Sequence, residues 1–246
     1  MAKEISKTQV DRLGDRIKRG NITEEDLRFL DRYRRSFTPA YEVVVGDIRN
    51  KLKLEPTGRP AKSTISIIDK LKRESIRLTQ IQDIAGCRLI VADIAEQESV
   101  TQSLMGLFPQ AVVIDRREKP SYGYRAVHVV VSHDGKLIEI QARTSLQQLW
   151  AELSEKYSDV IEPSIKYGGG NVKVQELLQK ASALVSKEEA NEIGLRDALA
   201  ASPSELPSDV QQTVDDALES LKRSRQKIGE AFRTIINDMS KLEEEH

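Results

Sequence analysis

Apolar positions in the first part of the chain recur at helical spacing. Leu27, Leu30, Tyr33 and Phe37 stand three or four apart, and Tyr41, Val44, Val45, Ile48 and Leu52 repeat the pattern beyond Pro39. Thr23 followed by Glu24, Glu25 and Asp26 predicts a helix start, because acidic groups favour the positive end of the helix dipole. Residues 1–54 are therefore expected to form a helical segment, interrupted or kinked at Pro39. Pro56, Thr57, Gly58 and Pro60 mark a break. From there to about residue 162 the pattern alternates between periods. Strands are expected at 88–91, 111–115, 124–132 and 136–143, and helices at 94–108 and 146–158. The triple glycine 168–170 predicts a hinge or turn. Residues 163–246 are expected to be a helical extension, with a loop near 202–207 and a long helix from about 208 to 244. The fold class is α/β (α+β): a core at 55–162 flanked by helical arms at 1–54 and 163–246.

Asp134-Gly135 between two strand-like runs predicts a two-residue β-hairpin turn with positive φ. That turn fixes the register: His133 opposes Lys136, Val131 opposes Ile138, Val130 opposes Glu139 and His128 opposes Gln141. Partners across a hairpin share a face. One face then carries Val127, Val129, Val131, Ile138 and Ile140, a core surface. The other carries Tyr124, His128, Glu139, Gln141 and Arg143. Such a polar face is either the solvated side of an antiparallel sheet or a site, and the hairpin alone does not decide.

Upstream chemistry favours a site. Asp83 leads into a strand and offers a second carboxylate; taken singly it reads equally well as a turn cap. Two acidic groups on adjacent strands, shared with substrate phosphates, suit a hard cation such as Mg²⁺. If Ser66 begins a helix, Lys70, Arg73 and Arg77 line one face while Ile67 and Leu71 line another. Residues 56–92 hold seven Lys/Arg and three Asp/Glu. A basic stripe beside an acidic pair is what a metal-bound polyphosphate requires.

Composition narrows the classes. The chain has 246 residues, with 38 basic and 39 acidic side chains, so it is not a general nucleic-acid coat. The single cysteine, Cys87, excludes an internal disulfide framework and a cysteine zinc site. No signal-peptide core and no apolar run near ~20 residues stands out, so the expectation is a cytoplasmic protein without a membrane partner. No GxxxxGK[ST] loop and no nucleophile elbow is found. His133 flanks the turn and His246 is terminal, which argues against a histidine metal cluster.

Five ordered blocks carry a family resemblance: Arg59-Pro-Ala-Lys62 running on through Ser66 and Lys70 to Arg73, then Asp83-Ile-Ala-Gly86-Cys-Arg88, Gly123-Tyr124-Arg125-Ala126-Val127-His128, Glu139-Ile-Gln141-Ala-Arg143-Thr144, and Trp150-Ala151-Glu152. Over roughly 55–160 the chain resembles the synthetase domain of the RelA/SpoT family, the alarmone synthetases. The resemblance implies a nucleotidyltransferase-like mixed sheet and a magnesium-dependent transfer of the β,γ-pyrophosphate of ATP to the 3′-hydroxyl of GDP or GTP. It implies that Arg59 and Arg88 pack against adenine and that Lys62, Ser66, Lys70 and Arg73 hold ATP phosphates. Asp83 and Glu139 would bind magnesium, and Glu139 would also assist deprotonation of the hydroxyl. Tyr124 would stack on the acceptor base, with His128, Gln141 and Arg143 on the acceptor side.

The chain departs from the family pattern at Lys119-Pro120-Ser121-Tyr122-Gly123-Tyr124, where the family often has Pro-Lys-x-Asn-Gly-Tyr, and by one residue inserted between Arg59 and Lys62. The altered acceptor segment, with Arg116, Arg117 and Lys119 nearby, keeps open a relative acting on adenine nucleotides or on the tRNA 3′ end. A third alternative is a non-catalytic nucleotide-binding helical protein. It is motivated by the stripe Leu218, Leu221, Ile228, Phe232, Ile235, Ile236 and Met239 on the last helix, which would also serve a homo-oligomer.

Overall fold

The computed structural model describes residues 5–201 and 207–244. Of the expected loop at 202–207 only Pro207 lies among them, and His246 lies outside them. Among the described residues eight α-helices and five strands run in the order α1 (Lys7–Lys18), α2 (Glu24–Arg35), α3 (Thr38–Asp47), β1 (Thr57–Arg59), α4 (Thr64–Arg73), β2 (Ala85–Val91), α5 (Ile94–Leu107), β3 (Val112–Asp115), β4 (Val127–His133), β5 (Lys136–Thr144), α6 (Ser145–Val160), α7 (Val172–Ala200) and α8 (Ser208–Glu244). The strands form one mixed sheet in the order β1-β2-β5-β4-β3. The chain divides into two compact units, 1–89 with 102–114 and 128–141, and 90–101 with 115–127 and 142–246.

In the first unit, the expected N-terminal helical segment, interrupted at Pro39, consists of three α-helices. Thr23 caps α2 in a reciprocal capping box with Asp26. Pro39 sits in the first turn of α3, where its missing N–H costs nothing. The chain leaves α3 through a π-helical turn, Ile48–Leu52, that ends at left-handed Lys53. Apolar Ile67 and Leu71 of α4 are buried, as their spacing predicts. The start of α4 is two residues earlier than expected: the Ser63 hydroxyl accepts from the Ser66 N–H, which makes Ser63 the cap and puts Ser66 inside the first turn. The helix ends at Arg73, so Arg77 does not continue the Lys70–Arg73 stripe; it precedes a short 3₁₀ turn instead.

Strand β1 is unforeseen, since Thr-Gly-Arg lacks an apolar signature. It pairs antiparallel with β2, Thr57 opposite Arg88 and Arg59 opposite Gly86. Gly58 is required there, because a Cβ would stand 2.6 Å from the Cys87 Cα. The hairpin turn is as expected, with Asp134 at φ 47° and Gly135 at φ 71°. Strand β4 begins at Val127, not at 124. The 121–124 segment is itself a tight turn, and its backbone bonds are spent there. The tip of the hairpin is anchored: the Lys136 ammonium lies 5.1 Å from the Tyr33 ring and 4.8 Å from the Phe37 ring.

In the second unit, Thr144 and Gln147 form the capping box that starts α6. Leu146, Trp150 and Leu153 of α6 are buried with Leu178, Ala181 and Val185 of α7 and Phe232 of α8. Ile228, Ile235 and Ile236 pack against the same cluster, so much of the α8 apolar stripe is occupied within its own unit. Among the described residues no helix is long and apolar enough to cross a membrane.

Candidate active site

Asp83 is held by two lysines. Lys62 Nζ donates to one carboxylate oxygen at 2.7 Å and Lys70 Nζ to the other at 2.9 Å. Local folding explains the convergence. The Lys62 backbone N–H donates to the Ile84 carbonyl, which ties the approach to α4 to the residue after Asp83. Lys70 projects from α4 in the register set by the Ser63 cap. Burial pushes the Asp83 carboxyl up, but the lysine charges and hydrogen bonds outweigh it and leave the group at about 2. The carboxylate is ionised at neutral pH, and a polyphosphate could take over its lysine partners.

On the hairpin, His128 and Glu139 lie together. The Nδ1 of His128 is 3.0 Å from a Glu139 oxygen, and Gln141 Nε2 donates to the other oxygen at 2.6 Å. His128 and Glu139 are both 8% exposed. The polar face is therefore not the solvated side of a sheet, and that alternative is set aside. Burial acts to raise the Glu139 carboxyl; the His128 hydrogen bond and charge overcome it, so the group lies below the ordinary carboxylate range, while the Asp83 charge acts in the opposite sense. Asp83 and Glu139 thus feel each other within one unit. Both offer hard oxygen donors, and two carboxylates completed by phosphate oxygens are a donor set that suits magnesium. Among the described residues no group of three or more His, Cys, Asp or Glu draws together.

The arginines follow the strand register. Arg88 and Thr57 are partners on one face, and Arg59 stands two residues along from Thr57 on that face. A Cβ built on Gly86 would lie 3.5 Å from the Glu139 Cβ, which puts the Gly86–Arg88 side of β2 on the same side of the sheet as Glu139. Arg73, on the last turn of α4, pairs with Glu74 at 3.0 Å. Ser66 shares a hydrogen bond with the Ser63 hydroxyl at 2.7 Å. Cys87 is buried and its thiol is pushed up to about 12, so it is no nucleophile at neutral pH.

Tyr124 and Arg143 belong to the second unit and form a pair there. Arg143 donates to the Tyr124 hydroxyl at 2.9 Å, and its guanidinium carbon lies 5.0 Å from the ring centroid. Arg143 also donates to Gln148 Oε1 at 2.9 Å, and Gln148 Nε2 donates to Glu152 at 2.7 Å. Gln148 is not among the residues the motifs single out. The Thr-x-x-Gln start of α6 is the signal that would have found it, because the cap fixes where the first turn lies relative to Arg143. Arg117, one of three basic residues in the altered segment, is engaged by Asp115 at 2.6 Å and by Gln97 at 3.1 Å, which removes it from any free basic patch.

Residues 58–159 match the family model described as a region found in RelA/SpoT proteins. Uncharacterized proteins of Mycobacterium tuberculosis and Mycobacterium bovis are 37% identical over 147 residues, covering 53% of this chain and 54% of each relative. The chain thus spans about half the length of the curated relatives it matches. Among solved structures, small alarmone synthetase 1 from Bacillus subtilis matches with a TM-score of 0.50 and 27% identity over 70% of this chain and 100% of that one. The same synthetase bound to its product pppGpp matches with a TM-score of 0.51 and 25% identity over 73% of this chain and 100% of that one. A RelA/SpoT-type domain similar to that of small alarmone synthetases is present in the chain.

Proposed function

We propose that this RelA/SpoT-type domain makes the chain an alarmone-synthetase-type pyrophosphokinase, transferring the β,γ-pyrophosphate of ATP to the 3′-hydroxyl of GDP or GTP. The observation that carries the reading is the Lys62–Asp83–Lys70 cluster in one unit with the buried His128–Glu139 pair. Phosphoryl-group transfer depends on positioning and charge neutralisation more than on covalent help, and these residues supply both.

In this reading Lys62 and Lys70 exchange Asp83 for ATP phosphate oxygens, and Arg73 and Ser66 add contacts from α4. Arg59 and Arg88 flank the adenine. Asp83 and Glu139 would hold magnesium, which when bound neutralises phosphate charge. The acceptor oxygen attacks the β-phosphorus, the bond from that phosphorus to the α-bridging oxygen breaks, and AMP leaves. Glu139, ionised and hydrogen-bonded to His128, accepts the proton of the hydroxyl, which would otherwise be a poor nucleophile. Gln141 holds Glu139 in place. Tyr124, backed by Arg143, stacks on the acceptor base.

Incubation of the full chain with Mg-ATP and GDP or GTP should yield AMP and a 3′-pyrophosphorylated guanosine nucleotide. Folded protein that forms no such product with either acceptor overturns the reading. Running ADP, ATP and tRNA as acceptors in the same assay separates it from transfer to adenine nucleotides or to RNA. The engagement of Arg117 by Asp115 weighs against the RNA acceptor.

A further inference from the structure

Residues 121–124 form a turn closed by the Tyr124 N–H donating to the Ser121 carbonyl at 2.9 Å. Both central residues have positive φ, Tyr122 at 54° and Gly123 at 91°. This is the mirror-image turn that favours Asn-Gly, since asparagine tolerates the left-handed region and a bulky L-residue does not. A tyrosine at the first central position costs about 1–2 kcal/mol relative to an unstrained backbone. Strain of this kind persists only where the surroundings fix it, and it concentrates at functional sites.

The surroundings do fix it. The Ser182 hydroxyl donates to the Gly123 carbonyl at 2.7 Å, and a Cβ on Gly123 would lie 2.7 Å from the Trp150 ring. The Tyr122 ring rests against Gly168, where a Cβ would collide with it and where φ is 82°. The one strained residue, Tyr122, thus has its ring buttressed by the Gly168 turn, yet the residue is 56% exposed. The neighbouring Tyr124 is already engaged, its hydroxyl accepting from Arg143 and its ring under the guanidinium. A packing role alone does not account for an aromatic side chain that is strained, buttressed on one side and open over the rest.

We propose that Tyr122 is a specificity-determining residue of the acceptor side, offering its ring as a second aromatic surface beside Tyr124 that favours purine over pyrimidine bases. The inference rests on the acceptor reading given above. A larger aromatic platform gains more from a bicyclic base than from a monocyclic one, because stacking scales with shared surface.

The test compares the full chain with Tyr122→Asn and Tyr122→Phe, using equilibrium dialysis of labelled GDP and labelled CDP together with kinetics of pyrophosphate transfer. Asparagine suits the turn, so the folding midpoint of Tyr122→Asn should be unchanged or higher. Its GDP dissociation constant and acceptor KM should rise about tenfold, as for loss of one stacked ring. The preference for GDP over CDP should shrink and the KM for ATP should not move. Tyr122→Phe, which keeps the ring, should restore GDP binding to within about twofold. Unchanged GDP binding by Tyr122→Asn in a chain that makes product overturns this inference and leaves the proposed activity standing. A lowered folding midpoint with ATP and acceptor KM rising together makes the ring a clamp for the glycine turn, and also overturns it. A wild-type chain that neither binds nor pyrophosphorylates GDP overturns both.

Discussion

Gly86 of β2 lies against the backbone of Glu139 in β5, so closely that a Cβ on Gly86 would stand 2.7 Å from the Glu139 carbonyl oxygen. The obstacle is backbone, which cannot swing aside like a side-chain end. Gly86→Ala is therefore expected to push the two strands apart at the residue that carries the proposed base. Overpacking of this kind costs about 1–3 kcal/mol. Urea unfolding should report that loss, and turnover should fall by more than the folded fraction does. An alanine variant of wild-type stability would show that the strands part without strain.

Glu139→Gln keeps the shape of the side chain and removes its charge. The fold should survive, since Gln141 can still donate to the retained amide oxygen. Turnover should fall by ~10²-fold or more, the usual contribution of a positioned base. The measurement is AMP formation from Mg-ATP and GDP, beside a far-ultraviolet spectrum that checks the fold. Wild-type turnover in this variant means that Glu139 has been given the wrong role.

Asp83 links the site to acid stability. Its folded value of about 2 lies below its ordinary one. A depressed carboxyl stabilises the fold above the unfolded value, near pH 4, and the contribution disappears as pH falls through the folded value. The shift corresponds to roughly 2 kcal/mol. The stability gap between the wild type and Asp83→Asn should thus be full at pH 5 and nearly closed by pH 2. A gap independent of pH would mean that the two lysines do not hold the carboxylate in solution. Turnover of Asp83→Asn should be lost at any pH.

Much of this was legible in the residues because short-range chemistry dictated it. Asp134-Gly135 sets the hairpin register, and the register alone groups His128, Glu139 and Gln141. Thr23 and Asp26 announced α2 in the same way. Other features depended on contacts distant in the chain. Strand β1 has no apolar pattern of its own and exists because Gly58 lets it approach β2. The Asp83 carboxylate read equally well as a turn cap, and only the convergence of Lys62 and Lys70, 21 and 13 residues away, shows what holds it. The burial of the polar hairpin face likewise depends on what covers it, which alternation along the two strands does not encode.

The buried network behind Arg143 gives the last prediction. Gln97, fully buried, donates to the Ala142 carbonyl at 2.7 Å and to Gln147 Oε1 at 2.8 Å. Gln147 donates to one Glu189 oxygen at 2.6 Å, and Arg125 donates to the other at 2.6 Å. The backbone just before Arg143 is thereby tied to a charge pair whose acidic member, Glu189, is buried. Arg125→Met leaves that carboxylate buried without its counter-charge, a loss of about 3–5 kcal/mol when one partner of a buried pair is removed. Adding Glu189→Gln removes the stranded charge while keeping an acceptor for Gln147. The double variant should therefore be more stable than Arg125→Met alone, an outcome that independent sites cannot give. Urea unfolding of the wild type, both singles and the double closes the cycle, and additive losses would show that the pair is solvated. If Ala142 is held as described, Arg125→Met should also weaken acceptor binding while leaving the KM for ATP unchanged, because the loosened strand end carries Arg143 and, through it, Tyr124.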